Sequence, residues 1–340
     1  HTGGHNSKPE AVKMVEELKE MIEPGNFSFK SVIYSGDDVD PVKVLGIQWA
    51  PREDVLTLPA RVNHGTKIKG RKLLEDLDLL DLWRAMPECV TKREIWRVVQ
   101  QLYDPLGLMC PLLLKSKLIL REVCISGVSW DEHVPAKLRD DFVDSLADRA
   151  KLGEVPFQRS LVPDEPLGLP TIIGFSDASS SAYAAIIYLR WPTARGFEVI
   201  LCSGKSRVAP VKIESIPRLE LLSCLLMARL ADAIVRALPF GVSGKMFFSD
   251  STCAISQIVS ESVMLIIFNS HRVSEIQQLT SPEDWRWLPT DQNIADLATR
   301  GACTIQDVSP GSRYQDGPEW LRLEQDQWPV KTAGEVNHPI

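Results

Sequence analysis

The second half of the chain predicts an α/β fold, a mixed five-stranded sheet with flanking helices, preceded by a mainly helical region. Three observations predict it. Short β-rich runs at 171–176, 182–190 and 198–205 follow one another across small-residue turns, as a meander does. A long stretch with apolar residues at helical spacing, 214–238, then leads to two further short runs, 245–249 and 285–288, as crossover connections do. Finally, the segment 153–170 carries four prolines and little periodicity, so it reads as a linker between this half and the helical first half.

The elements follow in order. Ser7-Lys8-Pro9-Glu10 reads as a capping box with proline in the first turn, which starts a helix running to Glu23, with Gly25 as its stop. Strand-like runs follow at 27–34 and 42–49, with 55–58 as a hairpin partner. A basic stretch, 64–72, leads into an expected amphipathic helix over 73–84. Thr91-Lys92-Arg93-Glu94 is a second capping box, continued at helical spacing by Ile95, Val98, Val99 and Leu102. Asp104-Pro105-Leu106-Gly107 breaks that helix, and another is expected from Pro111 to Cys124. In the second half, helices are expected from Ser251, over 263–280, and from Asn293 onward, and the final 35 residues read as polar and partly irregular.

Composition narrows the class. Apolar residues at 44% and charged residues at 24% of 340 are ordinary for a globular protein, and the length favours more than one domain. No apolar run reaches the ~18 residues a membrane helix requires, so no membrane partner is expected. The seven cysteines are dispersed and form no CxxC pair, which reads as reduced thiols in an intracellular protein. The net charge of −7 does not favour a nucleic-acid binder, although a basic groove on an acidic protein meets the same need. The missing initiator Met suggests a piece of something longer.

Four acids stand where acids are costly or positional: Asp177 after the first strand, Glu220 within the apolar helix, Asp250 ending the fourth strand, and Asp296 in the last expected helix. Each has an ordinary explanation. Asp177 suits a turn, Asp250 suits a helix N-cap, and Asp296 suits the positive end of a helix dipole. Glu220 is harder to explain this way, because Ile216, Leu219, Cys224 and Met227 surround it at helical spacing; Arg218 is a candidate partner. Taken together, clustered carboxylates repel unless a divalent cation neutralises them. Mg²⁺ suits such a site, and a pair of ions about 4 Å apart activates water and stabilises the leaving oxygen in phosphodiester hydrolysis.

Phe175-Ser176-Asp177-Ala178-Ser179, Arg218-Leu219-Glu220-Leu221, Phe248-Ser249-Asp250-Ser251-Thr252 and Asn293-Ile294-Ala295-Asp296-Leu297-Ala298-Thr299-Arg300-Gly301 resemble the ribonuclease H domain of BEL/Pao-type retrotransposon polyproteins. Trp285-Arg286-Trp287-Leu288-Pro289 resembles the family as well. Upstream, Val44-Leu45-Gly46-Ile47-Gln48-Trp49, Thr91-Lys92-Arg93-Glu94-Ile95 and Leu102-Tyr103-Asp104-Pro105-Leu106-Gly107 resemble the region after a reverse-transcriptase palm. Downstream, Gly317-Pro318-Glu319-Trp320-Leu321 and Trp328-Pro329 resemble the segment leading toward an integrase.

The resemblance implies a division of the chain: 1–34 as the end of the palm, 35–152 as a thumb/connection-like region, 153–170 as linker, 171–303 as a ribonuclease H-like domain, and 304–340 as a tail toward integrase. It implies metal-dependent endonucleolytic cleavage of RNA in RNA·DNA hybrids, leaving 3′-hydroxyl and 5′-phosphate ends. Asp177, Glu220, Asp250 and Asp296 would be its catalytic and metal-binding residues. Two Mg²⁺ (or Mn²⁺) ions are expected with substrate bound. The expected partners are the hybrid and the rest of the polyprotein, palm and fingers upstream and integrase downstream. The expected location is intracellular, in cytoplasmic virus-like particles or the nucleus. Lys205, Arg207, Lys212 and Arg218 are candidate phosphate contacts, as are Lys67, Lys69, Arg71 and Lys72.

The sequence also departs from the family. The Tyr-x-Asp-Asp polymerase signature is missing, since Tyr34-Ser35-Gly36-Asp37-Asp38 has the wrong spacing, so no polymerase activity is expected of this chain alone. The loop Pro289-Thr290-Asp291-Gln292 lacks the histidine that many ribonucleases H carry there, leaving Asp291 as a substitute. Asp296 follows Asn293 by three residues where many relatives use four. Aspartic-protease chemistry is excluded by the absence of Asp-Thr-Gly and Asp-Ser-Gly. The alternative class is an inactive ribonuclease H-like module of a decayed or domesticated element that only holds nucleic acid.

Overall fold

The computed structural model describes residues 7–58, 61–62, 77–78, 89–101, 103–212, 214–261 and 266–336. Its centre is a six-stranded mixed sheet. Strands β7 (Thr171–Ala178), β8 (Ala182–Thr193) and β9 (Gly196–Val208) form the antiparallel meander. β10 (Gly244–Ser249) then pairs parallel to β7, and β11 (Trp285–Trp287) pairs parallel to β10. These are the five strands expected; a sixth, β12 (Lys331–Thr332), pairs antiparallel to β11, giving the order β12-β11-β10-β7-β8-β9. Two residues of polar sequence carry no strand signal of their own, which is why β12 escapes a reading by pattern.

Both faces of the sheet are covered, so its central strands read as nearly continuous apolar runs. On one face Ile172, Ile187, Leu189 and Phe247 pack against helices α5 (Ile216–Ala237), α6 (Thr252–Val259) and α7 (Ile267–Leu279). On the other, Ile173, Phe175, Ile186, Tyr188 and Phe248 share one core with residues from both ends of the chain. The upstream contribution comes from helices α2 (Lys92–Gln101), α3 (Cys110–Ile125) and α4 (Ala136–Arg149). Phe142 and Leu146 bury α4 in this core, and Ser116 and Ser145 join α3 to α4 through their hydroxyls at 3.2 Å. The sequence reading assigned no helix at 136–149, because frequent charged residues there leave only a narrow apolar stripe.

The tail is more deeply engaged than its polarity predicts. Trp320 and Trp328 pack edge-to-face with each other and with Phe248, and Trp320 also meets Phe175 in this way, with ring centroids 5.2–6.0 Å apart. Tyr188 donates its hydroxyl to the Tyr314 carbonyl at 2.6 Å, and Arg190 donates to the carbonyls of Leu321 and Leu323. The backbone is irregular, as expected, but six aromatic and aliphatic side chains (Ile305, Val308, Tyr314, Trp320, Leu321, Trp328) anchor it in the core.

The upstream half departs further from expectation. The run 42–49 is two strands, β1 (Val42–Val44) and β2 (Ile47–Ala50), turning at Leu45 and Gly46 with φ of 49° and 90°. That two-residue left-handed turn suits a hairpin, and the apolar run across it conceals it from a periodicity reading. β3 (Val55–Thr57) pairs with β2 as expected, and β6 (Phe157–Gln158) pairs with β3. Arg159 clamps Asp54 in a bidentate pair at 2.5 and 2.8 Å beside it. Residues 27–34 form no strand: Phe27 is 73% exposed, and among the described residues no segment pairs with them in a ladder. Helix α1 (Lys8–Ile22) stands as expected, with the Ser7 side chain accepting from the Glu10 N–H. Most of the helix expected over 73–84 lies outside the described residues; Leu77–Asp78 within it is a strand, β5, paired with β4 (Arg61–Val62).

The loop before α3 covers the middle of the β9 edge of the sheet. Gly204 N–H and the Ser203 hydroxyl both donate to the Leu106 carbonyl, at 3.2 and 2.6 Å. An exposed edge strand offers unpaired backbone groups to other chains, and this loop takes up one of them, the Gly204 N–H. No helix among the described residues is long and apolar enough to cross a membrane.

Candidate active site

Register brings the first two acids together. β7 and β10 run parallel with Ser176 opposite Ser249, so the next step along each strand is Asp177 and Asp250. Alternation then points both toward the face that holds Phe175 and Phe248, because side chains two apart share a side. Asp177 is 6% exposed, and Asp250 is half-buried. The segment Ile294–Ala298 lies over that face. Here the expected α-helix from Asn293 is a 3-10 helix instead. The burial of Ile294, Ala295 and Ala298 holds it down, the Thr299 hydroxyl bonds back to the Asp296 carbonyl, and Gly301 at φ 69° ends it. Glu220 arrives from the opposite layer, in the first turns of α5.

Each carboxylate has a defined partner. Thr299 Oγ1 donates to Asp177 Oδ2 at 2.6 Å. Asn293 Nδ2 donates to Asp250 Oδ1 at 3.2 Å and to the Ser176 carbonyl at 3.0 Å, bridging the two strand ends. Ser251, which caps α6, donates its hydroxyl to Glu220 Oε2 at 2.6 Å. Arg300 Nε donates to Asp296 Oδ1 at 2.6 Å. Trp287 Nε1 holds the Asp250 carbonyl at 2.9 Å. Ser251, Asn293, Thr299 and Arg300 lie inside the sequence motifs quoted above, yet none was singled out. Their signal is position: each is one to four residues from an acid, within reach of a turn.

The electrostatics show the acids acting on one another. Burial foremost, together with the negative charges of Asp250 and Asp296, pushes the Asp177 carboxyl up to about 6 against the opposing Thr299 hydrogen bond. Arg300 is held more firmly in its charged form, first by Asp296 and then by Asp177 and Asp250. Thus Asp177, Asp250 and Asp296 share one electrostatic neighbourhood. Arg218 does not partner Glu220; it pairs with Glu214 at 3.0 Å and lies over the Phe268 ring.

All four acids offer hard oxygen donors, the type a divalent cation such as Mg²⁺ takes. Among the described residues, no three His, Cys, Asp or Glu side chains stand ready to hold a metal by themselves. Each acid is engaged by a neighbour instead. Mg²⁺ tolerates such a site, since it binds through one or two carboxylates and draws the rest of its shell from water and substrate phosphate. The donor set and its mutual repulsion therefore fit a hard dication.

Of the candidate phosphate contacts, Lys205 and Arg207 are exposed on β9, Lys212 is exposed in the loop before α5, and Arg218 is half-buried. Lys67, Lys69, Arg71 and Lys72 lie outside the described residues. Asp291 accepts from Gln292, and its backbone carbonyl accepts from Arg313. A groove of about 720 Å³, lined by Glu53, Asp164, Glu165 and Arg195 among others, contains none of the four acids.

Residues 91–251 match the family described as the Pao retrotransposon-like RNaseH-like domain. The match takes in Asp177, Glu220 and Asp250 and ends before Asp296. No curated protein matches the chain. Among solved structures, the N-terminal RNase H domain of Rv2228c from Mycobacterium tuberculosis, solved as a fusion with maltose-binding protein, is similar at 14% identity. It covers 41% of this chain and 96% of that one, with a TM-score of 0.30. A foamy viral protease–reverse transcriptase in complex with double-stranded DNA is similar at 12% identity, covering 74% of this chain and 38% of that one, with a TM-score of 0.37.

Proposed function

We propose that this chain is a metal-dependent ribonuclease that hydrolyses the RNA strand of RNA·DNA hybrids endonucleolytically, as part of a retrotransposon polyprotein during reverse transcription. The observation that carries this reading is the β7–β10 register, whose last pair, Ser176 opposite Ser249, immediately precedes Asp177 on one strand and Asp250 just past the end of the other. Asp177, Glu220, Asp250 and Asp296 would hold two Mg²⁺ or Mn²⁺ ions when substrate is bound. Such ions would supply water activation and charge neutralisation at the leaving oxygen.

The protein's own groups prepare the site. Asn293 locks the two strand ends together through Ser176 and Asp250, and Thr299 fixes the rotamer of Asp177. Ser251 aims Glu220 toward the same end of the sheet. Such positioning from neighbouring side chains is what keeps ligands in productive geometry. Lys205, Arg207, Lys212 and Arg218, with Lys67, Lys69, Arg71 and Lys72, are proposed to grip phosphates without reading sequence. No polymerase activity is proposed. The division at 153–170, the palm and integrase neighbours, and a cytoplasmic-particle or nuclear location belong to the same reading.

The test offers labelled RNA as a single strand, as an RNA duplex, and in an RNA·DNA hybrid, in Mg²⁺ and in Mn²⁺. Cleavage confined to the hybrid, with 3′-hydroxyl ends, is the expected result. A folded protein that binds the hybrid and cuts nothing in either metal would favour an inactive nucleic-acid-binding module.

A further inference from the structure

Three of the four acids accept hydrogen bonds from neutral donors: Asp177 from Thr299, Asp250 from Asn293 and Glu220 from Ser251. Asp296 differs, because its partner is a cation, the Arg300 guanidinium at 2.6 Å. The Arg300 side chain is 62% exposed, against 31% for Asp296, so the guanidinium is open to solvent and within reach of a ligand arriving from it. Its charge is stabilised by Asp177 and Asp250 as well as by Asp296. It therefore stands where a dication at these acids would also gain.

We infer that Arg300 is a resident counter-ion that competes with metal for Asp296 and yields that carboxylate when a nucleic-acid phosphate draws it away. This rests on the metal-site reading above and adds a gate to it: metal occupancy at Asp296 is coupled to substrate. The physics is direct. A guanidinium and a dication repel at contact range, and in a partly solvated site the repulsion costs enough to change affinity by about tenfold. Phosphate is a strong acceptor for guanidinium, often through two parallel N–H bonds, so a bound hybrid offers Arg300 an alternative partner. Substrate and metal then favour each other, a coupling that is reciprocal by linkage. Arg300 is a positioning residue in this account, since it acts through Asp296.

The test measures Mn²⁺ binding to the full chain by calorimetry or electron paramagnetic resonance, without nucleic acid, for wild type, Arg300→Ala, Asp296→Asn and the double variant. Arg300→Ala is expected to bind Mn²⁺ about tenfold more tightly than wild type. The gain should vanish in the Asp296→Asn background, and Arg300→Lys should restore wild-type affinity. With an uncleavable 2′-O-methyl RNA·DNA hybrid bound, the gap between wild type and Arg300→Ala should close. Equal Mn²⁺ affinity for wild type and Arg300→Ala overturns the inference alone. A gap that persists with hybrid bound overturns the coupling to substrate. No Mn²⁺ binding by any variant overturns the metal-site reading on which the inference stands.

Discussion

Thr299 donates its hydroxyl to Asp177 across 2.6 Å, tying the residue after the Ile294–Ala298 turn to the penultimate residue of β7. Because the bond stabilises the charged carboxylate, its loss moves the Asp177 carboxyl further up from about 6. Thr299→Val is nearly isosteric and leaves Asp177 short of a donor. It should cost on the order of 1–3 kcal/mol at pH 8 and shift the acid limb of any cleavage profile to higher pH. Thermal unfolding and a pH–rate series check the two parts separately. An unmoved acid limb would show that Thr299 does not tune Asp177.

Asp177 itself makes a stability prediction with a definite sign. Folded, its carboxyl titrates near 6; unfolded, an aspartate titrates near 3.9. The folded state therefore holds its proton more tightly. The stability this contributes is complete below about pH 4 and is lost as the pH rises through about 6. Asp177→Asn should raise metal-free stability at pH 8 by about 2–3 kcal/mol, have little effect at pH 4, and abolish cleavage. Melting curves in EDTA at both pH values test this; destabilisation at pH 8 would contradict it.

Gly107 and Gly204 meet backbone to backbone at the junction of the helical half and the sheet. A Cβ on Gly107 would lie 1.6 Å from the Gly204 carbonyl oxygen, and Gly107 already occupies φ 71°. Gly107→Ala must therefore push the Leu106 carbonyl away from Ser203 and Gly204, exposing the β9 edge. We expect a loss of several kcal/mol, of the size seen when overpacking and strain combine, together with a greater tendency to aggregate. Unfolding and light scattering measure both, and a variant as stable as wild type would show that this junction yields easily.

Trp320 makes the same point about the tail. Its ring packs against Phe175, Phe248 and Trp328, so Trp320→Ala should cost about 3–5 kcal/mol. Equilibrium denaturation provides the check. A cost under about 1 kcal/mol would mean the tail is dispensable to the sheet.

These contacts separate what the sequence reveals from what it conceals. The five main strands and α5 are legible because their apolar residues occupy unbroken runs or helical spacing. Among the four acids, Glu220 stands out because it interrupts an apolar helix, whereas Asp177, Asp250 and Asp296 each suit a turn, cap or helix end and gain meaning only as an ordered set. The donors that meet them are not legible: a serine, an asparagine or a threonine in a turn reads as local capping, and only the packing of Ile294 and Ala298 shows that Asn293 and Thr299 reach β7 and β10. The hairpin at Leu45–Gly46 and the two-residue β12 escape for another reason. A strand exists through its ladder partner, and the pairing of Lys331 with Trp287 is set by the fold as a whole. The tail misleads because composition averages over its length, whereas Trp320 and Trp328 do the anchoring.

The measurement that bears most directly on the central claim is cleavage of a labelled RNA strand within an RNA·DNA hybrid, in Mg²⁺ or EDTA, by wild type and Asp250→Asn. Asparagine preserves the shape at Asp250 while removing its charge. The account predicts cutting by wild type in Mg²⁺, none in EDTA, and a loss of at least about a thousandfold, or ~4 kcal/mol, in the variant. Cleavage by Asp250→Asn at the wild-type rate, or by wild type in EDTA, would contradict it.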